Sequence, residues 1–298
     1  MLGLERHAAR VTRYIRRLRG GSQPILAEAS DGKTYIVKFT DNLQGPNLAF
    51  NESMGTELFR ACGLPVAPCE VLKVTDSFLA QNPACWLETP QGRRRPVAGL
   101  CFGSRYLGGE DVKLFEILPG SYLERVKNAT DFWLAWLLDV SADHSDARQA
   151  IFCERHPGQL EAVFIDFGHM FGGATGSDRG GNVRTSRHMD QRIYPRVSRR
   201  FLLTFRKILD TLDTDYLWRQ LLALPDEWKA KSAIENFKGG LDRLSDPSFL
   251  DRTFDRVLEN YQASERERSN LICGQKEQLP VLRPGVQPVA RGRGVVVC

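Results

Sequence analysis

The first forty residues fall into three short runs in which β-branched, aromatic and aliphatic positions recur at strand spacing: VTRYIRRL, PILAEA and TYIVKF. Gly20-Gly21-Ser22 separates the first run from the second, and Asp31-Gly32 separates the second from the third. Asp-Gly between two such runs predicts a hairpin, because both central positions of that turn favour positive φ. The segment GPNLAFNESMGTELFRACG then changes period, with Leu48, Met54, Leu58 and Phe59 near helical spacing and Gly63 placed to stop the helix. Strand-like runs return in PCEVLKV and GLCFGSRYL. Pro83, Pro90, Gly92 and Arg93-Arg94-Arg95 between them predict a surface hairpin or loop.

After Gly108-Gly109 the pattern becomes helical. A helix is predicted from Tyr122 to Val140, with Val126, Phe132, Trp133, Trp136 and Leu137 on its apolar side. Asp143 to Phe152 leads into a short strand and EAVFIDFG forms another, while four helical segments follow from Ser198. The reading is α+β. A small, mostly antiparallel β part (1–108) precedes a larger, mainly helical part (109–272), and a Pro-, Gly- and Arg-rich tail (273–298) is expected to be disordered.

Composition narrows the classes. The 298 residues are 42% hydrophobic and 26% charged, as expected of a globular chain with a sizeable core. No apolar run approaches the roughly 18 residues of a membrane span, and the Arg-rich start lacks the apolar core of a secretory signal, so a cytoplasmic protein is expected. The seven cysteines form no CxxC pair, which favours reduced thiols over zinc or a disulfide framework. The net charge of +5 comes mostly from arginines near the two ends and carries no nucleic-acid motif, so a nucleic-acid partner is not expected.

The charged residues carry the functional argument. Lys38 ends the apolar strand YIVK behind a glycine-containing hairpin, where a lysine can reach the phosphates of a nucleotide. Glu52, on the helix that follows, can pair with it, and Glu57 competes for that role. Asp146 lies just after the long aromatic helix, and Asp166 follows an apolar strand and precedes Phe167-Gly168. Two carboxylates separated by a hairpin's length can converge at a cleft, one orienting a hydroxyl and the other holding Mg²⁺ on a triphosphate. Each element is weak alone. Their order along the chain is that of a kinase.

The sequence resembles the HipA-like kinases, in particular the compact HipA-like domain of bacterial proteins of about this size. The matching stretches are Gly20-Gly21-Ser22, DGKTYIVKF, Asn51-Glu52, Phe102 to Leu107, the loop Asp146 to Phe152, Ile165 to Gly168 and Pro225 to Trp228. The resemblance implies a two-lobed protein-kinase-like fold that binds ATP and Mg²⁺ between its lobes and phosphorylates Ser or Thr hydroxyls of a protein or of itself. Gly20, Gly21 and Ser22 would then offer N–H groups to the phosphates, and Lys38, held by Glu52, would contact the α- and β-phosphates. Ser104, Arg105, Tyr106 and Leu107, with Gly103 before them, would present backbone hydrogen bonds to adenine. Asp146 would orient the acceptor and Asp166 would hold the metal. The family commonly places Asn five residues after its catalytic Asp as a second metal ligand; counted from Asp146 that position is Ile151, and Gln149 is the nearest amide. Asp143 competes with Asp146.

Other features read more plainly. His144, His169 and His188 lack metal-ligand spacing and suit polar or packing roles. The Gly-rich stretch 172–194 would be an activation-type segment, with Ser177, Thr185 and Ser186 as conceivable phosphosites, or simply a mobile surface loop. Trp133 and Trp136 suit a core. Two rivals to an active kinase of this type stand: a small-molecule kinase with a small polar acceptor pocket, and a pseudokinase that binds nucleotide or a partner without transfer.

Overall fold

The structure is a computed structural model that describes residues 8–109, 111–177, 186–256 and 258–259. The three predicted strands are β1 (Ala9–Arg17), β2 (Ile25–Ala29) and β3 (Thr34–Lys38), and PCEVLKV supplies β4 (Cys69–Val74). The arginine-rich hairpin is β5 (Leu87–Thr89) with β6 (Gly92–Arg94), and β7 is Gly99–Arg105. The Asp31-Gly32 turn forms with Gly32 at φ 76, and Asp31 Oδ1 accepts the Lys33 N–H.

The strands close into a barrel in the order β1-β2-β3-β7-β4. All its junctions are antiparallel except the one that closes it, where β1 and β4 run parallel with Ala9 opposite Leu72. Ile25, Ala27, Tyr35, Val37, Leu72, Val74 and Cys101 fill the interior. Gly103 lies on that inner side because a Cβ there would run into the Leu72 side chain. Strand alternation therefore turns Leu26, Ile36, Lys38, Phe102 and Ser104 outward onto one face.

Helix α1 (Leu48–Ala61) is buried from Leu48 to Phe59. It ends as the sequence predicts, with Gly63 at φ 77 and the Leu64 N–H bonded to the Phe59 carbonyl. A short helix α2 (Asp76–Gln81), capped by the Thr75 hydroxyl, is absent from the sequence reading. So is β8 (Lys113–Phe115), which extends the predicted hairpin β9 (Gln149–His156) and β10 (Gln159–Ile165) into the sheet β10-β9-β8.

The helix expected from Tyr122 starts later. A 3-10 turn occupies Gly120–Arg125, and α3 runs over Asp131–Ser141. Between them the Asn128 amide exchanges two hydrogen bonds with the Ala162 backbone, and the Lys127 N–H bonds the Leu160 carbonyl. Docking onto β10 thus claims the residues that helical periodicity alone would have continued. Helices α4 (Arg199–Asp210), α5 (Thr214–Ala223) and α6 (Lys231–Leu244) follow, and a helical stretch over 247–255 ends the compact unit that reaches Asp255. The next unit starts at Arg256, of which 256, 258 and 259 are described and helical. The expected disordered tail (273–298) lies outside the described residues. None of the described helices is long and apolar enough to cross a membrane. Burial pushes the Cys62 and Cys101 thiols up to about 12, so neither is a ready nucleophile.

Candidate functional site

Lys38 leaves the end of β3 on the outward face and is buried. Its Nζ bonds Glu52 Oε1 on α1 and lies 2.9 Å from Asp166 Oδ1, just past β10. The predicted pair and the predicted metal carboxylate thus form one cluster. Glu57, the competitor for Glu52, points instead to Arg60 and to the Tyr216 hydroxyl.

Glu52 has a second task. Its oxygens accept the N–H groups of Phe167 (3.2 Å) and Gly168 (3.0 Å), so one carboxylate holds both the lysine and the turn after Asp166. A Cβ on Gly168 would stand 2.9 Å from Glu52 Oε1, which explains the glycine. Gly55, one turn further along α1, leaves room for Phe167, whose Cβ would lie 2.5 Å from a side chain there. Asp166 itself takes φ 62, a left-handed conformation that few residues besides Gly, Asn and Asp adopt. One ammonium serves two carboxylates, and their titrations separate. Burial opposes the charge of Asp166, but Lys38 outweighs it and holds that carboxyl well below the usual range. Burial prevails at Glu52 and pushes its carboxyl up despite Lys38. Burial also works against the Lys38 charge, but Asp166 and Glu52 together keep its ammonium above the ordinary lysine range.

The Asp166 turn is anchored from below by residues the sequence reading assigned no role. Arg148, fully buried, forks onto Asp139 with contacts of 2.7 and 2.9 Å. Its remaining nitrogen donates to the carbonyls of Ile165 (2.6 Å) and Asp166 (3.3 Å). Its guanidinium also lies 4.6 Å over the Phe167 ring. His144 Nδ1 completes the cluster 3.2 Å from Asp139, and burial lowers its pKa despite that carboxylate, leaving it neutral. The signal was present in the sequence: Asp139 is the only charge inside the apolar run FWLAWLLDV, and a buried carboxylate requires a partner.

The hairpin register places the remaining acidic-loop residues. Gln149 stands opposite Ile165, so Arg148 adjoins Asp166 at the mouth of the hairpin. Ile151 pairs with Val163, two rungs deeper. A ligand shared with Asp166 would therefore come from 148 or 149 rather than 151, and of these Gln149, half-buried and paired with Ile165, carries the amide. Asp146 is exposed, with Oδ1 accepting the N–H of Ala147. Asp143, at φ 49, pairs with Arg243 on α6 at 2.6 Å. Position 148 is five residues after Asp143.

Gly20, Gly21 and Ser22 turn at the Lys38 end of the barrel, since Ile25 is paired with Val37. Gly20 has φ 131 and its carbonyl accepts the Gln23 N–H at 3.0 Å. The expected adenine contacts are narrowed. The Arg105 N–H bonds the Pro68 carbonyl (2.7 Å) and the Tyr106 N–H the Thr34 carbonyl (2.9 Å), so neither can also donate to a base. Ser104 is paired on both sides, with Ile36 and Cys69. Leu107 lies beyond the end of β7. Arg105 faces Tyr35, three residues from Lys38 along β3 and about 10 Å at strand rise.

The segment after Asp166 is built in rather than loose as far as Ser177. Asn51 Nδ2 donates to the carbonyls of Gly168 (2.9 Å) and Gly173 (3.1 Å), and Asn236 Nδ2 to that of Phe171 (3.0 Å). Ser177 is exposed, whereas Ser186 is 1% exposed and unavailable for modification without opening. Thr185 lies outside the described residues. His188 packs on Phe132 and Phe152, and Trp133 and Trp136 are core.

Comparison with curated proteins returns no match. Among solved structures, the chain is similar to the Helicobacter pylori proinflammatory kinase CtkA at 12% identity, over 82% of this chain and 94% of that one, with a TM-score of 0.49. The Golgi casein kinase matches at 14% identity over 83% and 74% of the two chains, TM-score 0.49. HipA in the Shewanella oneidensis MR-1 HipA, HipB and operator DNA complex matches at 15% identity over 81% and 65%, TM-score 0.45. The family model described as HipA-like kinase matches residues 11–113. The resemblance to HipA-like kinases is thus supported over the stretch that holds the glycine turn, Lys38, Glu52 and residues 104–107.

Proposed function

We propose that the protein is an ATP- and Mg²⁺-dependent phosphotransferase with a two-lobed, kinase-like arrangement divided near residue 108, acting on Ser or Thr hydroxyls of a protein. The observation that carries this reading is the buried Lys38 held jointly by Glu52 and Asp166. Two carboxylates keep this lysine charged in a buried place, at the end of the barrel where the glycine turn lies, and a charged, fixed lysine beside such a turn is what a phosphate site requires. The match of residues 11–113 to a kinase family supports the same reading.

The residues fit a nucleotide. Leu26 and Ile36 offer apolar surface beside Lys38, with the end of β7 about 10 Å away for the base. Asp166 and the Gln149 amide are hard oxygen donors of the kind that hold Mg²⁺ together with phosphates. Bound Mg²⁺ neutralises charge on the β- and γ-phosphates. Lys38 would draw on the α- and β-phosphates, with Glu52 fixing its direction, and the N–H groups of Gly20, Gly21 and Ser22 would cover them. Asp146, exposed and with no cation partner among the described residues, would accept the hydrogen bond of the acceptor hydroxyl. Rate would come from positioning and charge compensation.

One observation favours a second reading, in which nucleotide binds without efficient transfer: Arg148, which offers no oxygen to a metal, adjoins Asp166. Transfer of labelled γ-phosphate to a protein mixture and to the chain itself, with and without Mg²⁺, tests the proposal. Mg-ATP binding with no transfer under any condition would give the second reading the site.

A further inference from the structure

One polar contact between the loop after β3 and the turn after β10 has no place in the kinase plan read from the sequence. Gln44 lies six residues past Lys38 in the loop after β3. Asn42 binds this loop to the glycine turn, with Nδ2 donating to the Ser22 carbonyl and Oδ1 accepting the Gln44 N–H at 2.9 Å. The Gln44 amide then reaches under the turn: a Cβ on Gly21 would stand 2.8 Å from its Nε2. From there Nε2 meets His169 Nε2 at 3.1 Å. His169 follows Gly168, whose N–H is held by Glu52, and its carbonyl accepts the Ser145 N–H at 3.0 Å, one residue from Asp146. The two half-buried side chains thus join the glycine turn, the Asp166 turn and the acceptor loop.

We propose that Gln44 and His169 are a clasp for the terminal phosphoryl group, selecting a nucleoside triphosphate over a monophosphate. The inference rests on the nucleotide site above and deepens it. Donation by the Gln44 amide makes His169 Nε2 the acceptor, which places the imidazole proton on Nδ1. The pair satisfies itself when nothing lies between them. A phosphoryl group entering between Gly21 and the Asp166 turn takes the Gln44 N–H on one anionic oxygen, while the imidazole proton moves from Nδ1 to Nε2 so that His169 donates to a second oxygen; each of these bonds to an anion is stronger than the one they replace. The Gln44 amide is neutral, so it adds no charge to compete with Lys38 for Asp166.

The test is calorimetric titration of the full chain with ATP, ADP and AMP, each with Mg²⁺. Gln44→Ala and His169→Ala should weaken ATP binding by about tenfold or more while leaving AMP binding unchanged. Gln44→Glu separates a clasp from a structural brace. A carboxylate keeps the reach to His169 and serves as a brace, but it repels phosphate, so ATP binding should fall further than in Gln44→Ala. Unchanged or tighter ATP binding in Gln44→Ala, or near-normal ATP binding in Gln44→Glu, overturns the clasp even though the nucleotide site stands. Absence of binding of all three nucleotides by the wild type overturns the nucleotide site itself, and the clasp with it.

Discussion

Lys38 Nζ and Asp166 Oδ1 stand 2.9 Å apart although 128 residues separate them in the chain. The contact joins the last residue of a barrel strand to the first residue after a hairpin, and Glu52 closes it from α1. Such an ammonium is costly to bury unless each neighbouring carboxylate is used.

The two residues should therefore fail differently when changed. Mg-ATP should raise the melting temperature of the wild type by mass action, and Lys38→Ala or Asp166→Asn should remove most of that rise. Lys38→Ala should also lower the melting temperature without ligand, because Glu52 loses its cation in the interior, a loss of about 3–5 kcal/mol. Asp166→Asn should cost far less in the apo protein. An undiminished ATP-induced rise in both variants would sink the assignment of this cluster.

Asp146 and Asp143 can be separated by transfer kinetics. Asp146→Asn should abolish transfer while keeping Mg-ATP affinity, since it acts on the acceptor. Normal transfer in that variant, with loss in Asp143→Asn, would move the role to the residue paired with Arg243.

The metal question turns on Gln149. Ile151→Asn should bring no gain in transfer, because position 151 sits two rungs from the hairpin mouth. Gln149→Ala should reduce transfer and raise the Mg²⁺ concentration needed for it. A rate gain from Ile151→Asn would contradict the register argument.

The Arg148–Asp139 fork should behave as a buried ion pair. Arg148→Met alone should destabilise by about 3–5 kcal/mol, whereas Arg148→Met combined with Asp139→Leu should recover part of it. Denaturant unfolding of the two variants gives the comparison, and equal losses would show that the pair is not coupled.

Acid should weaken the fold in a defined window. Burial lowers the pKa of both His144 and His188, so below about 6.5 the unfolded chain binds protons that the folded chain refuses. Stability then falls as pH drops, with a limiting slope of about 1.4 kcal/mol per pH unit for each histidine. Asp166, held low, adds its loss only below about pH 4, while Glu52, held high, works in the opposite sense above about pH 4.5. His188→Gln should flatten the melting-temperature profile between pH 7 and 5; an unchanged profile would refute the assignment for that residue.

Local signals were enough to read the barrel strands and the β9–β10 hairpin, the Asp31-Gly32 turn, the Gly63 helix stop and the order Lys38, Glu52, Asp166, because each depends on neighbours in sequence. What local periodicity could not reveal depended on partners far along the chain. Asn128 turned a predicted helix into a docked strap by bonding Ala162, and the closing parallel pair of the barrel needed β4 beside β1. The neighbour of Asp166 is set in the same way. Counting five residues from Asp146 gives Ile151, but which residue stands beside Asp166 is a matter of hairpin register, and pairing Gln149 with Ile165 puts Arg148 there. Gln44 and His169, 125 residues apart, carry no joint signal in the sequence and meet only because the loop after β3 and the turn after β10 face each other. Composition and period specify which residues can be buried or paired; tertiary packing chooses the partners, since a charge or amide taken from water must find one wherever the chain brings it.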